Sequence, residues 1–319
     1  MKPPVSAHTF WDGPHDGRCG PGRGIPFGSS SVQHGSAVFE GIRAYASTTG
    51  EPHLFRLDDH LTRLLGSARE LGIRHAYDLA RLRELVIEAT AASGLHDCYV
   101  RPGLFAADPV LSIDVGRLPF TLGVEVWPMA ALGAAAHRPG VRLTVSPWCR
   151  PSPSSFPPRV KAVGTYVTSA LAKSAAVAAG YDDALQLDPD SGRVAEATVS
   201  NVFLVRDCAL HTPWLCDSLL AGITRDTVLT LARELGLAVH QGPVETEDVC
   251  AADEVFLTGT ASELVPVAAL DEHVYAAERP VFDTIATAFR NATTGARFAH
   301  PGWLTPVHAT ARTTTPQGA

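Results

Sequence analysis

The chain has 319 residues, enough for two modest domains, and its 45% hydrophobic and 18% charged residues are an ordinary globular balance. A formal net charge of −7 leaves no basic face able to displace the counterions of a nucleic acid, so that class of partner is excluded. Six cysteines, at 19, 98, 149, 208, 216 and 250, follow neither a CxxC nor a zinc-ligand spacing and read as reduced thiols of a cytoplasmic protein, with no metal site.

The elements follow in chain order. Met1 to Gly24 is loop-like and has no apolar core of signal-peptide length, so no leader is expected. Nowhere is there an apolar window of about 18 residues, so no membrane span is expected either. Ser36 to Ala46 is rich in β-formers and reads as one strand, and Leu54 to Arg56 as a short one. Asp58 is placed as the cap of a helix running to about Leu71, with Leu61, Leu64 and Leu65 on one face. A second helix is expected over Ala80 to Ser93, then strands over Cys98 to Ala106 and Phe120 to Val126. Trp127 to Gly140, rich in Ala, Gly and Pro, is the expected interdomain linker.

Beyond it a strand is expected over Val141 to Pro147, a Pro/Ser-rich loop over Arg150 to Pro158, and a buried helix over Gly164 to Gly180. A hairpin follows, Asp183 to Leu187 and Val194 to Val205, joined by the turn Asp188 to Gly192. Gly222-Ile223-Thr224 opens a helix that ends at Gly236, a residue suited to the left-handed end position. Strands are expected at Leu237–His240, Glu254–Leu257 and Val265–Val267, and a helix over Val281 to Asn291. The Thr/Pro-rich tail from His308 is expected to be disordered. The pattern implies an α+β protein in two unlike halves, 1–126 and 141–307.

Three features carry chemistry. Lys161 sits in PPRVKAVGTY between apolar neighbours, which disfavour its charge and free the amine for Schiff-base formation. Taken alone, such a lysine usually snorkels to solvent. Glu196 enters an apolar strand, where a carboxylate is costly unless paired; its plain alternative is a strand-edge glutamate facing water. Gly222-Ile223-Thr224 places free N–H groups at a helix start, a ready anion site, although Thr224 also suits an ordinary cap. Tyr166, Arg63 and the turn Gly259-Thr260-Ala261 are further polar candidates with equally ordinary alternatives.

Together these positions resemble one family, the branched-chain amino-acid aminotransferases of pyridoxal-5′-phosphate (PLP) fold type IV. The resemblance runs from about Ser31 to Leu304. It rests on HGSAVFEGIRAY (34–45), HLTRL (60–64), YVRPGLF (99–105), KAVGTY (161–166), EATVSNVFLV (196–205), AGITRD (221–226) and EVFLTGTASE (254–263). It implies PLP as cofactor, Lys161 as the Schiff-base and proton-transfer lysine, Glu196 against the pyridine nitrogen and Tyr166 on the cofactor's phenolic oxygen. Arg63, Gly222, Ile223, Thr224 and Thr260 would hold the phosphate. Thr260 and Ala261 would offer N–H groups to the substrate carboxylate, with Phe39, Tyr99 and Arg101 lining the substrate pocket. It implies an N-terminal α/β domain, a C-terminal pseudo-barrel and a homodimer or higher oligomer acting on an L-amino acid and a 2-oxo acid.

Two departures bear on substrate. His34 stands where the family commonly has tyrosine, and Met129-Ala130-Ala131-Leu132 replaces a loop that often brings an aromatic. With His34 counted as a substrate-binding residue, the expectation is a roomier pocket in which branched-chain amino acids are accepted without being clearly best. Other readings are an aminodeoxychorismate lyase, a D-amino-acid or R-selective amine aminotransferase, or a non-catalytic PLP-binding protein.

Overall fold

A computed structural model describes residues 8–12, 25–129, 140–215, 218–298 and 300–307. Two sheets carry the described chain. The first is built from β1 (His8–Asp12), β2 (Ala37–Phe39), β3 (Ile42–Ala46), β4 (Pro52–Phe55), β5 (Cys98–Ala106), β6 (Phe120–Pro128) and β16 (Leu304–Pro306). Its order is β1-β6-β5-β3-β4-β16, with β2 also on β5. The helices α2 (Leu57–Glu70) and α3 (Leu79–Ser93) cover it, and Leu57, Leu61, Leu64, Leu82 and Val86 are buried with Ile42, Val100, Leu104 and Leu122 in one core. Burying each such side chain contributes roughly 1.5–3 kcal/mol.

The second sheet runs β12 (Val239–Gly242), β11 (Ala209–Pro213), β10 (Asn201–Arg206), β13 (Glu254–Gly259), β14 (Glu263–Leu270), β7 (Val141–Val145), β8 (Asp183–Leu187) and β9 (Val194–Ala197), with β15 (His273–Val274) on β14. β9 comes back against β10 and β11, which curls the sheet towards a barrel. The mixture of helices and sheets is α+β, as the sequence implies. α5 (Ile223–Glu234) and α7 (Pro280–Thr294) pack on β13. Phe55 bridges the two halves, making edge-on contacts with Tyr45, Phe289 and Trp303 at 6.1, 5.9 and 5.6 Å between ring centres. Such pairs add about 0.5–1.5 kcal/mol each beyond their buried area.

The structure corrects several expectations. The supposed loop-like start contains β1, paired antiparallel with β6. Ser30–His34 is a short helix, α1, capped by the Ser29 hydroxyl and stopped by left-handed Gly35 (φ 67°). The single strand over Ser36 to Ala46 is two strands interrupted at Glu40-Gly41. There the opposing strand carries Pro102, which has no N–H to give, and the Glu40 N–H donates to the Pro102 carbonyl. Asp58 lies in the first turn of α2 rather than capping it, because Arg56 is the cap, in the left-handed region. The strand expected from Val194 to Val205 breaks at 198–200, where the chain leaves β8 and β10 takes β11 and β13 as partners. β11, β15, β16 and the helix α6 (Thr246–Cys250) are short elements outside the expected pattern; β11 and β15 close tight hairpins on β10 and β14, and β16 pairs at a distance, with β4. Residues 130–139 and the tail from His308 lie outside the described residues.

Candidate active site

The break between β9 and β10 opens onto a cavity of about 610 Å³, open mouth included, at the seam of the two halves. Arg63 from α2, Lys161, Tyr166 at the start of α4 (Tyr166–Ala178), Glu196 from β9, Gly222, Ile223 and Thr224 at the start of α5, and Thr260 after β13 all line it.

Lys161 is held by the first half. Its N–H donates to Ser67 Oγ at 3.1 Å, and β2 bonds the segment on either side, Phe39 N–H to the Lys161 carbonyl and Val163 N–H to the Ala37 carbonyl. Lys161 Nζ donates to the Tyr166 hydroxyl at 2.7 Å and lies 5.0 Å from the centre of the Phe39 ring. The Phe39 and Tyr166 rings are themselves 5.0 Å apart, and the Arg101 guanidinium sits 4.2 Å over Phe39. Phe39 and Arg101 thus pack against the Lys161–Tyr166 pair without lining the cavity themselves. Tyr99, on β5, lies opposite Arg43, and burial pushes its hydroxyl up to about 12. Gly41 makes room for it, since a Cβ at that position would collide with the Tyr99 ring.

Glu196 is the carboxylate at the cavity floor, 5% exposed. Asn201 Nδ2 donates to Oε2 at 2.9 Å, and Arg150 Nε lies 3.1 Å from Oε1. Burial pushes the Glu196 carboxyl above its ordinary value, and the opposing pull of Arg150, the Leu220 backbone and Lys161 does not cancel it. The site therefore holds a buried carboxylate whose charged form burial disfavours. The segment 218–221 collects the polar groups around it. Asp188 accepts from the Ser218 N–H and hydroxyl, and the Ser218, Leu220 and Ala221 carbonyls accept from Arg150, Asn201 and Arg63.

The opposite end favours an anion. No side chain caps α5, which leaves its first-turn N–H groups and helix dipole facing the cavity. A Cβ on Gly222 would collide with Asn201 Oδ1, so only glycine leaves this cradle open. Thr258 Oγ1, also on the cavity wall, is buried without a hydrogen-bond partner.

Arg63 is more constrained than the sequence suggests. Its Nε and Nη2 donate to the two Glu40 oxygens at 2.6 and 2.8 Å, and Glu40 also accepts from His60 Nδ1 at 2.8 Å. His60 and Arg63 are three apart on α2 and so share a face. Burial alone would raise the fully buried Glu40 carboxyl, but Arg63 and His60 hold it well below the usual carboxylate range. His60 is lowered from its ordinary value, by burial first and by Arg63 and Lys161, against the pull of Glu40.

Glu40, His60 and Asn201 lie inside the motifs that carry the resemblance, with no role implied for them there, and Arg150 opens the Pro/Ser-rich loop. An acidic residue inside a run of β-formers and the i, i+3 spacing of His60 and Arg63 were the available signals. Replacing Glu40 by alanine strands Arg63, and a loss of about 3–5 kcal/mol is expected, measured by chemical denaturation. Because the folded value of Glu40 lies below its unfolded one, its contribution is whole above the ordinary carboxylate range and is lost as pH falls through and below it. The alanine variant should show a correspondingly weaker decline of stability on acidification.

Five predicted residues are not among those lining this cavity: Phe39, Tyr99 and Arg101, which pack behind or beside the Lys161–Tyr166 pair, and His34 and Ala261. His34, at the end of α1, is exposed and lies 3.4 Å from Ser30 Oγ, turned away by Gly35. Ala261 lies in the exposed turn 260–262 beside the mouth. Of the loop Met129-Ala130-Ala131-Leu132, only Met129 is among the described residues.

An amine bonded to a phenol, a buried carboxylate and an uncapped glycine-led helix start fit the aldehyde, phenolic oxygen, pyridinium and phosphate of PLP. They define a PLP enzyme of the fold type IV class. The family described as amino-transferase class IV matches residues 37–270. The branched-chain-amino-acid aminotransferase of Salmonella typhimurium is 36% identical over 291 residues, covering 88% of this chain and 92% of that one. The crystal structure of the branched-chain aminotransferase of the thermophilic archaeon Thermoproteus uzoniensis with norvaline is similar at a TM-score of 0.88 and 35% identity, covering 95% and 100%. That of the Thermobaculum terrenum branched-chain amino acid aminotransferase in its PLP form is similar at 0.82 and 34%, covering 90% and 94%. The chain belongs to the branched-chain amino-acid aminotransferase family within class IV, and it is a PLP-dependent aminotransferase.

Proposed function

We propose that this enzyme exchanges the amino group of a branched-chain or related L-amino acid with a 2-oxo acid such as 2-oxoglutarate. The observation that carries the reading is the Lys161–Tyr166 pair facing Glu196 across a cavity closed by the start of α5. When bound, PLP supplies an aldehyde carbon that bonds amines and a ring that accepts electron density from the substrate. Lys161 Nζ is the group that holds the cofactor and moves the proton taken from the substrate α-carbon. Tyr166 orients Nζ, and Glu196 would hold a proton on the pyridine nitrogen by a charge-assisted bond. Arg63, Gly222, Ile223, Thr224 and Thr260 bind the phosphate. The N–H groups of the turn at Thr260 and Ala261 take the substrate carboxylate, and Phe39, Tyr99 and Arg101 face the side chain. Arg101 suits the second carboxylate of glutamate.

The same reading divides the chain into halves at 1–126 and 141–307 with the linker 127–140 between them and a tail from 308, and takes the protein as a cytoplasmic homodimer. Exposed Phe27, Val32, Leu111 and Ile113 support a self-association face, because α1 and the 109–113 loop touch through the Ser30 hydroxyl and the Ser112 carbonyl. His34 ends the same α1 and would enter the partner's pocket rather than its own.

The test is kcat/KM for leucine, valine, methionine, phenylalanine and glutamate in wild type and His34→Tyr. Aromatic bulk lost at position 34 leaves part of a small side chain unburied, forgoing ~0.8 kcal/mol per methylene. Branched substrates are therefore expected to turn over without dominating, and His34→Tyr to raise them relative to phenylalanine. A tenfold preference for leucine or valine, unchanged by the substitution, would remove His34 from the pocket. No turnover of any L-amino acid would overturn the whole reading.

A further inference from the structure

We propose that Arg43 and Glu263 form a latch that sets the turn 260–262 against the mouth of the cavity, and that this latch determines how tightly the substrate carboxylate is held. The inference rests on the reading that this turn receives the carboxylate. Arg43, on β3 of the first half, donates from Nη1 to Glu263 Oε1 at 3.0 Å and from Nη2 to Asp97 Oδ1 at 2.7 Å. Its guanidinium lies 4.5 Å over the Tyr45 ring, and its side chain is 7% exposed. Glu263 is the first residue of β14 and pairs with Gly259, so it closes the turn that presents Thr260 and Ala261.

The backbone supplies the second observation. Glu263 has φ 58°, in the left-handed region, at the position of a short hairpin turn where glycine relaxes the chain. A glutamate there carries strain that the surroundings must impose, and such strain gathers at functional clamps. The side chain that glycine would lack is the one Arg43 holds. Arg43 also pairs with Tyr99 across β3 and β5, so one strand position joins Tyr99 to the carboxylate turn. Arg43 and Glu263 are positioning residues, since neither lines the cavity.

The experiment compares Glu263→Gly holoenzyme with wild type on leucine and on 3-methylbutylamine, the same side chain without the carboxylate. Glycine suits the backbone, and Arg43 keeps Asp97, so the variant is expected to fold with an unchanged melting temperature. The expected result is a fall of about tenfold or more in kcat/KM for leucine, mostly in KM, with the half-reaction of the amine within about twofold of wild type. Calorimetry should show the affinity for 4-methylpentanoate, a carboxylate with no amine, falling in parallel. Glu263→Gln, which keeps a hydrogen-bond acceptor for Arg43, should recover most of both losses. Equal losses for leucine and the amine, or no loss for either, would overturn the latch. If wild type itself handles leucine and the amine alike, the carboxylate-turn reading fails first, and the latch with it.

Discussion

Lys161→Ala is expected to lose at least the ~10²–10⁴-fold that a positioned proton-transfer group contributes, and more because the same amine holds the cofactor. The structure makes the loss specific. Lys161 Nζ is 2.7 Å from the Tyr166 hydroxyl, its backbone is clamped by Ser67 and β2, and no other lysine among the described residues lines the cavity. The chain has only two other lysines, Lys2 and Lys173. Lys173 Nζ is held by the Asp182 carbonyl and Asp183, two helical turns beyond Tyr166 on α4, and does not line the cavity. Borohydride reduction of the enzyme with PLP, followed by peptide mapping, should place the pyridoxyl label on Lys161. A label on Lys173 would overturn the assignment. The variant should still bind PLP through the start of α5, since Gly222, Ile223 and Thr224 are untouched.

Glu196→Gln is the second large effect, with kcat expected to fall about 10²–10³-fold, the range for losing one preorganised charge-stabilising group. The carboxylate is buried and pushed towards its neutral form by desolvation, so it gains most from a cation placed against it. The amide cannot hold a proton on the pyridine nitrogen by charge. It can still accept from Asn201, so the floor of the cavity should keep its shape. The check pairs kcat with the absorbance of bound cofactor: retained PLP with slow turnover is the expected outcome. Wild-type kcat in this variant would mean that Glu196 has another role.

Much of this was legible along the chain. The residues of the proposed cofactor cup, Arg63, Lys161, Tyr166, Glu196, Gly222, Ile223, Thr224 and Thr260, converge on one cavity as their motifs implied. What the residues around them do was not legible. Glu40 reads as one letter of a β-rich string, and its position between Arg63 and His60 depends on α2 docking over the strand break. Arg150 lies in a Pro/Ser-rich loop with no periodicity, and only the return of that loop over β8 brings it to Glu196. His34 lies in a motif that carries the resemblance, yet on this chain it is exposed at the end of α1, before left-handed Gly35, and the motif holds no record of which surface it serves.

The sequence by itself determined the chemistry and most of the long elements. Strings such as KAVGTY, GITRD and FEGIR carry their local geometry with them, and hydrophobic periodicity is a short-range property. Only the tertiary structure decided the strand break at Glu40-Gly41, the curl of the second sheet and the return of β16 to β4. It alone joined Arg43 to Glu263 across the two halves. These depend on which distant backbone offers a partner, such as Pro102 without an N–H, and on charges that become tolerable once burial forces them to pair. Local pattern contains no record of either.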